Sequence, residues 1–342
     1  MRIVHVMRSD RFAGVEQFVL RLAIAQARAG HRVHVAGGAE SRMRAQLGAA
    51  GATWERTASA FELIRGLRRH GSGADIVNTH MTDADVAASV LLPRRGPALV
   101  STRHFALPRR RWGAFSADTI VRRRVDAEIA ISHAVADAIG APSTVVHSGV
   151  PEAPVSRGGS SKRVLMVQRL QPEKHPLVGI DAFLRSALAD DGWTLDVAGD
   201  GPLRAEAERR IDAHDAGGAV RLLGFRDDVP ALLHSSAIFL ATCPNEGLGL
   251  AALEAMAAGV APLVADAAGH RDLVDGLDAA ARFAPDDAEA AASGLRMLAT
   301  DAPRRAALAA AARKRAGTEF SIANQLARTL QVYASAMERR RR

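Results

Sequence analysis

Arg169 and Lys174 stand five positions apart in Gln168-Arg169-Leu170-Gln171-Pro172-Glu173-Lys174-His175, directly after an apolar run at 163–167. On a loop at a strand's carboxyl end, such a pair can grip a diphosphate from two sides. The guanidinium is a planar fork of donors and the ammonium a compact charge. Departure of a nucleoside diphosphate builds negative charge on phosphate oxygens, and two fixed cations stabilise it without a metal. Alone the pair is not specific, because basic residues in surface loops are common. A second group begins at Asn245-Glu246-Gly247-Leu248-Gly249-Leu250 and continues through Glu254 to Gly259. Glycines let the backbone approach a ligand closely. A helix that starts there offers unbonded N–H groups and a partial positive charge, which suit a phosphate. Glu246, ahead of the helix, can accept hydrogen bonds from sugar hydroxyls. Glu254, about two turns inside an otherwise apolar helix, needs a partner to offset its burial, and a ribose diol would serve. A glutamate snorkelling to solvent, with Gly247 and Gly249 merely capping, is the competing reading.

These residues require elements that hold them. Short apolar runs at 2–7, 32–36, 75–79, 98–102, 128–131 and 144–147 read as strands, with helical stretches between them, such as 15–28 and 83–92. Strands joined by helices imply parallel sheets. Residues 151–162, PEAPVSRGGSSK, lose all apolar periodicity and read as a linker. The alternation restarts with strands at 163–167, 194–198, 220–223, 238–241, 261–264 and 281–283. Helices are expected at 177–188, 202–214, 248–258, 288–298 and 304–315, and a last one at 322–337 after Ser321 as N-cap. The expected fold is α/β: two doubly wound, Rossmann-like domains facing across a cleft. The first spans 1–152, a linker 153–162, and the second 163–320. Ligands in such sheets bind beyond the strands' carboxyl ends, where the candidate residues fall.

Taken in order, R-x4-K and then E-x7-E inside an EGLGL…EAMAAG helix resemble the retaining glycosyltransferase family numbered four, of GT-B fold. Val197-Ala198-Gly199-Asp200-Gly201-Pro202-Leu203 is similar to its glycine turn and Leu223-Gly224-Phe225 to its base-side segment. Gly14-Val15-Glu16 with Ala29–Val33 is similar to its N-terminal loop and first helix. The resemblance implies that Arg169 and Lys174 bind the donor diphosphate, Glu254 the ribose and Glu246 the transferred sugar. Gly247, Leu248, Gly249 and Leu250 would supply backbone N–H groups, Gly199, Gly224 and Phe225 would line the donor site, and Gly14 would approach the diphosphate. His104 aligns with the family's active-site histidine. His80, Arg103 and Arg109 are further cleft or acceptor candidates, and residues 321–342 would pack back on the first domain. Three departures stand out: Ala13-Gly14 replaces a Gly-Gly pair, Val146-His147-Ser148-Gly149-Val150-Pro151 replaces Pro-Asn-Gly-Val-Asp, and Asp272 stands where glutamate is frequent.

The expected activity is retaining, metal-independent transfer from a nucleoside-diphosphate sugar of UDP or GDP type to a sugar, glycolipid or small-molecule hydroxyl, in cell-envelope glycolipid, lipopolysaccharide or polysaccharide synthesis. No further cofactor and no metal are expected. A nucleotide-sugar hydrolase or epimerase is the first alternative and a basic nucleic-acid binder the second. Aromatics at 4% leave few stacking platforms for bases, so no nucleic-acid partner is expected. The formal charge of +8 is arginine-rich and clustered at Arg103, Arg109–111, Arg122–124 and Arg339–342. Such clusters suit an anionic acceptor or membrane surface. One cysteine, Cys243, excludes an internal disulfide. With no signal peptide or membrane span evident in the sequence, a cytoplasmic protein is expected, at the inner face of the membrane if the basic surface binds lipid. Asp83-Ala84-Asp85 is literally D-x-D, but its aspartates fit the first turn of a helix.

Overall fold

The computed structural model describes every residue except Arg110, Gly113, Ala114, Arg157, Gly158, Ser160, Asp215, Gly217 and Arg342. Two compact units divide the chain: Met1–Gly149 with Ser321–Arg342, and Val150–Phe320.

The first unit runs β1 (Arg2–Val6), α1 (Gly14–Arg28), β2 (Arg32–Ala36), α2 (Glu40–Ala49), β3 (Thr53–Glu55), α3 (Ala60–Gly66) and a π-helical turn (Leu67–Gly71). It continues through β4 (Ile76–His80), α4 (Thr82–Leu91), β5 (Ala98–Arg103), β6 (Arg111–Trp112), β7 (Phe115–Ser116), α5 (Ala117–Arg122), β8 (Ala127–Ala130), α6 (His133–Ile139) and β9 (Thr144–Val145). Seven strands form one parallel sheet in the order β3-β2-β1-β4-β5-β8-β9, and β6 and β7 form a separate antiparallel pair. Helices cover both faces, so the central strands are buried almost throughout and read as continuous apolar runs. The last helix, Ile322–Arg341, belongs to this unit. Its Val332, Tyr333 and Ala336 share a core with Ile3, Ile76, Val100 and Ile129.

The second unit runs β10 (Arg163–Val167), α7 (Pro176–Arg185), β11 (Thr194–Ala198), α8 (Arg204–Ala213), β12 (Val220–Gly224), α9 (Val229–His234), β13 (Ile238–Ala241) and α10 (Leu250–Ala258). Then follow β14 (Ala261–Ala265), α11 (Ala268–Val274), β15 (Arg282–Phe283), α12 (Ala288–Thr300) and α13 (Ala302–Glu319). Six parallel strands take the order β12-β11-β10-β13-β14-β15. α10 is built of leucine, alanine, methionine and glutamate, all strong helix formers. It stops at Gly259, whose φ of 76° is left-handed.

In each sheet the strand order reverses once, between β1 and β4 and between β10 and β13. The loops leave the two strands in opposite directions there, which opens a crevice at their carboxyl ends. Most of the sequence-derived candidates sit at or beside these two points. Element ends differ from expectation by a few residues: α13 starts earlier and the last helix runs to Arg341. The short edge strand β3 and helices α2 and α3 carry too little periodicity to be read from sequence.

Candidate active site

In the second unit the crevice lies where β10 and β13 end. Gln168 and Thr242, the residues just past those strands, anchor the first loop. The Gln168 side-chain amide donates to the Lys174 carbonyl at 3.1 Å and to the Thr242 hydroxyl at 3.0 Å, and that hydroxyl donates to the same carbonyl at 3.0 Å. A 3-10 turn over Pro172–Lys174 and a left-handed His175 lead into α7. Lys174 is therefore fixed at its backbone, and its Nζ donates to Glu246 Oε2 at 2.6 Å. The two side chains are 19% and 25% exposed, neither dry nor fully solvated. Arg169 is 56% exposed and, among the described residues, pairs only with Glu173, at 3.3 Å. An exposed pair of that kind contributes little, so the guanidinium can turn to a ligand at small cost.

Burial alone would push the Lys174 ammonium down, but the Glu246 carboxylate and the Cys243 thiol outweigh it and hold lysine above its ordinary value. Burial likewise opposes the charge on Glu246, yet Lys174 and the neighbouring His270 hold that carboxyl below its usual range. Burial and Glu246 together push the Cys243 thiol up to about 11. Lysine and glutamate are thus both charged across the neutral range.

The second loop is clamped from below. Gly269 N–H donates to the Glu246 carbonyl at 3.0 Å, and buried His270 lies under Gly249. Gly249 has φ of 96°, and a Cβ there would come within 2.7 Å of the His270 ring. Gly247, Leu248 and Gly249 are buried, and Leu250 opens α10 with its N–H end at this loop. Glu254 sits half-buried one turn further on. Gly199 and Gly224 pair across the ends of β11 and β12, with Gly199 N–H donating to the Gly224 carbonyl at 2.7 Å. A Cβ on Gly199 would lie 1.9 Å from the Gln168 carbonyl, so only glycine fits. Phe225, next in line, is 74% exposed. Gln168, Thr242, Gly269 and His270 were not singled out from the sequence. A buried histidine after an Ala-Ala-Gly turn was the one available signal.

In the first unit a pocket of about 430 Å³ opens beyond β4 and β5, lined by Arg8, Met81, Asp83, Thr102, Arg103, His104, Phe105 and Leu107, among others. Met81, at its rim, holds a positive φ of 72°, a strained conformation for a side-chain-bearing residue. Arg8 pairs with Asp83 at 2.7 Å, and Arg103 donates to the Leu107 carbonyl at 2.6 Å. Gly14 opens α1, where the Glu16 carboxylate takes up the Ala13 N–H at 2.8 Å and the Ser9 hydroxyl at 2.5 Å.

His104 lines this pocket, but His80 does not reach it. Its side chain is wholly buried between His5 and His104, with both ring nitrogens engaged at 3.1 and 3.0 Å, so it cannot touch an acceptor. Arg109 also departs from its expected role. Its guanidinium is buried and bonded to Asp85, Asp118 and Ser101, each at 2.8 Å, and to Glu128. Asp85, the second aspartate of D-x-D, is spent on that cage and on the Thr79 hydroxyl. Arg110 and Arg342 lie outside the described residues. Away from the pocket, His34, Glu55 and His70 bring their ligand-type atoms within 4.8 Å of one another. The two rings stack at 3.8 Å and 22°, and both turn Nε2 to the Glu55 carboxylate, at 3.5 and 3.6 Å.

Residues 153–315 match the model for glycosyl transferases group 1, and residues 12–153 match that for glycosyltransferase family 4. The chain belongs to the group 1 glycosyltransferases. This glycosyltransferase is 30% identical over 235 residues to a lipopolysaccharide core biosynthesis mannosyltransferase of Rhizobium meliloti, over 63% of this chain and 67% of the relative. It is 41% identical over 109 residues to a GDP-mannose-dependent phosphatidylinositol dimannoside mannosyltransferase of Mycobacterium tuberculosis, but that stretch is 30% of this chain and 27% of the relative. The crystal structure of Anabaena HepE in complex with UDP and glucose superposes with a TM-score of 0.82 at 20% identity, covering 98% of this chain and all of that one. At that identity the likeness concerns the fold, the GT-B pair of Rossmann-like units. Among the described residues, no helix of this glycosyltransferase is long and apolar enough to cross a membrane.

Proposed function

We propose that the protein transfers a hexosyl group, with retention and without a metal, from a nucleoside-diphosphate sugar of UDP or GDP type to a hydroxyl of an anionic envelope glycolipid or saccharide. The observation that carries this is the Lys174–Glu246 pair at the switch point of the second sheet, beside the Gly249 turn that opens α10. Lys174, Arg169 and the N–H groups from Gly247 to Leu250 bind the diphosphate. Glu254 takes the ribose, Gly199, Gly224 and the exposed Phe225 border the base, and Glu246 accepts from the sugar's hydroxyls while orienting the ammonium.

A carboxylate tied to an ammonium is a weak nucleophile, which favours direct same-face attack over a glycosyl-enzyme. The bond from the anomeric carbon to the phosphate oxygen breaks as the bond to the acceptor oxygen forms. The acceptor proton passes to the departing phosphate, whose charge Arg169 and Lys174 hold. The first unit supplies His104 and its pocket, in which Arg8 and Arg103 stand beside exposed Phe105 and Leu107. Cations next to apolar side chains suit an acceptor carrying both phosphate and lipid. The relatives named for lipopolysaccharide core and for phosphatidylinositol dimannoside support that class, and an acceptor of that class puts the proposed site of action at the inner face of the membrane.

The test is a donor screen by thermal shift with uridine, guanosine and adenosine diphosphate sugars, followed by NMR of the product made with a lipid-linked acceptor. An α-linked product from an α-linked donor, formed equally in chelator, is the expected result. An inverted anomer, a metal requirement, or free sugar as the main product would overturn the corresponding part of the assignment. Anionic vesicles at low salt test the membrane part: the protein should co-sediment with them and not with neutral ones.

A further inference from the structure

Four buried side chains of the first unit form one hydrogen-bonded line that ends at the pocket. Gln26 Oε1 lies 2.7 Å from His5 Nε2, His5 Nδ1 lies 3.1 Å from His80 Nε2, and His80 Nδ1 lies 3.0 Å from His104 Nε2. Each neutral imidazole has one donor and one acceptor, so the direction of the whole line is set wherever one end is fixed. The Gln26 end is set by its amide, which turns its oxygen to His5 and its nitrogen to the side of the Tyr333 hydroxyl, an oxygen to which the Asn78 amide also donates at 2.6 Å.

With Gln26 presenting oxygen, His5 carries its proton on Nε2 and offers Nδ1 as acceptor. His80 in turn carries its proton on Nε2, and so does His104. Burial keeps all three rings neutral. His104 Nδ1 is left as a bare acceptor, with no hydrogen-bond partner among the described residues. The line ends in an amide, which cannot take up a proton, so it does not shuttle protons. It locks a tautomer.

We propose that Gln26 and His5 act through His80 as positioning residues that hold His104 in its Nε2–H tautomer, so that His104 meets the substrate as an acceptor of a hydroxyl hydrogen and not as a donor to phosphate. The substrate part rests on the transferase reading above; the lock itself does not.

The experiment is a long-range proton–nitrogen correlation spectrum of the 15N-labelled full chain at neutral pH, with His104 assigned by the missing signal in His104→Asn. The expected result is a single Nε2–H tautomer for His5, His80 and His104. In Gln26→Met, which keeps the volume but removes the acceptor, His104 becomes a mixture of tautomers. There kcat falls roughly tenfold, the worth of about one hydrogen bond, while the donor KM stays put. A proton on His104 Nδ1 in the unaltered protein would overturn the proposal, and so would a folded Gln26→Met that keeps one Nε2–H tautomer. If Gln26→Met does not fold, the spectrum of the unaltered protein decides alone. Absence of transfer with every donor would sink the functional reading and leave these spectra to judge the lock.

Discussion

The two switch points occupy the same place in two sheets of the same kind, yet they are furnished differently. Between β1 and β4 uncharged groups are sealed and joined in line from Gln26 to His104, and the Arg8–Asp83 ion pair at the rim takes no part in that line. Between β10 and β13 the strand ends carry neutral Gln168 and Thr242, and the charges stand one step further out, on loops that solvent still reaches. The reason is energetic. An ion pair buried outright seldom recovers its desolvation, whereas neutral hydrogen bonds can be buried whole if every partner is met. A doubly wound sheet can thus hold either a tautomer or a charge at its crevice, depending on how far from the strand ends the polar groups lie.

The contrast can be broken most directly at Lys174. Lys174→Ala should lower transfer on the order of 10³-fold with the circular dichroism spectrum unchanged. Near-normal transfer would mean that the second crevice does not use its charge. Arg109→Met tests the buried side. It strands Asp85 and Glu128 without their cation and should cost about 3–5 kcal/mol of stability in denaturant titrations. Intact stability with a raised acceptor KM would restore Arg109 to the pocket.

Acid should separate the two units. The first unit's histidines bind their proton near pH 6.5 when unfolded, but in the fold His5 is held down to about 4 and His104 to about 3. Their contribution is whole above pH 6.5 and is lost as the pH falls towards those values, at up to about 1.4 kcal/mol per pH unit for each ring. Glu246 is also depressed, but from a carboxyl value, so its share is lost only below about 4.5; His270 is the second unit's own buried histidine. Hydrogen exchange corrected for intrinsic rate, at pH 7.5 and 5.5, should show β1 and β4 losing more protection than β10 and β13. Equal losses would erase the distinction. The smallest effect is at Phe225, where alanine should raise the donor KM roughly tenfold and leave kcat alone.

The sequence made the alternation of strands and helices legible, along with the loops that carry Arg169, Lys174, Glu246 and Glu254, because each follows its strand within a few residues. It did not show that Lys174 reaches Glu246, 72 positions away, since pairing across β10 and β13 depends on strand order. Arg109 looked like part of a surface cluster, and only the fold reveals the acids at 85, 118 and 128 that enclose it. The line through residues 5, 26, 80 and 104 has no local pattern at all. One hint was present: His5 interrupts the apolar strand RIVHV, and a polar group in such a strand must find partners.

Tyr333 reaches Asn78 from 255 positions downstream, and it does so from a helix made after the whole second unit. On the ribosome, the unit begun first therefore cannot close its core until residues 322–341 emerge, while the unit begun second can already have folded. Until then the sheet of residues 1–149 waits with part of one face, over β5 and β8, uncovered. A chaperone that shields that face, or a nascent chain stalled before residue 321, would meet a finished second unit attached to an unfinished first.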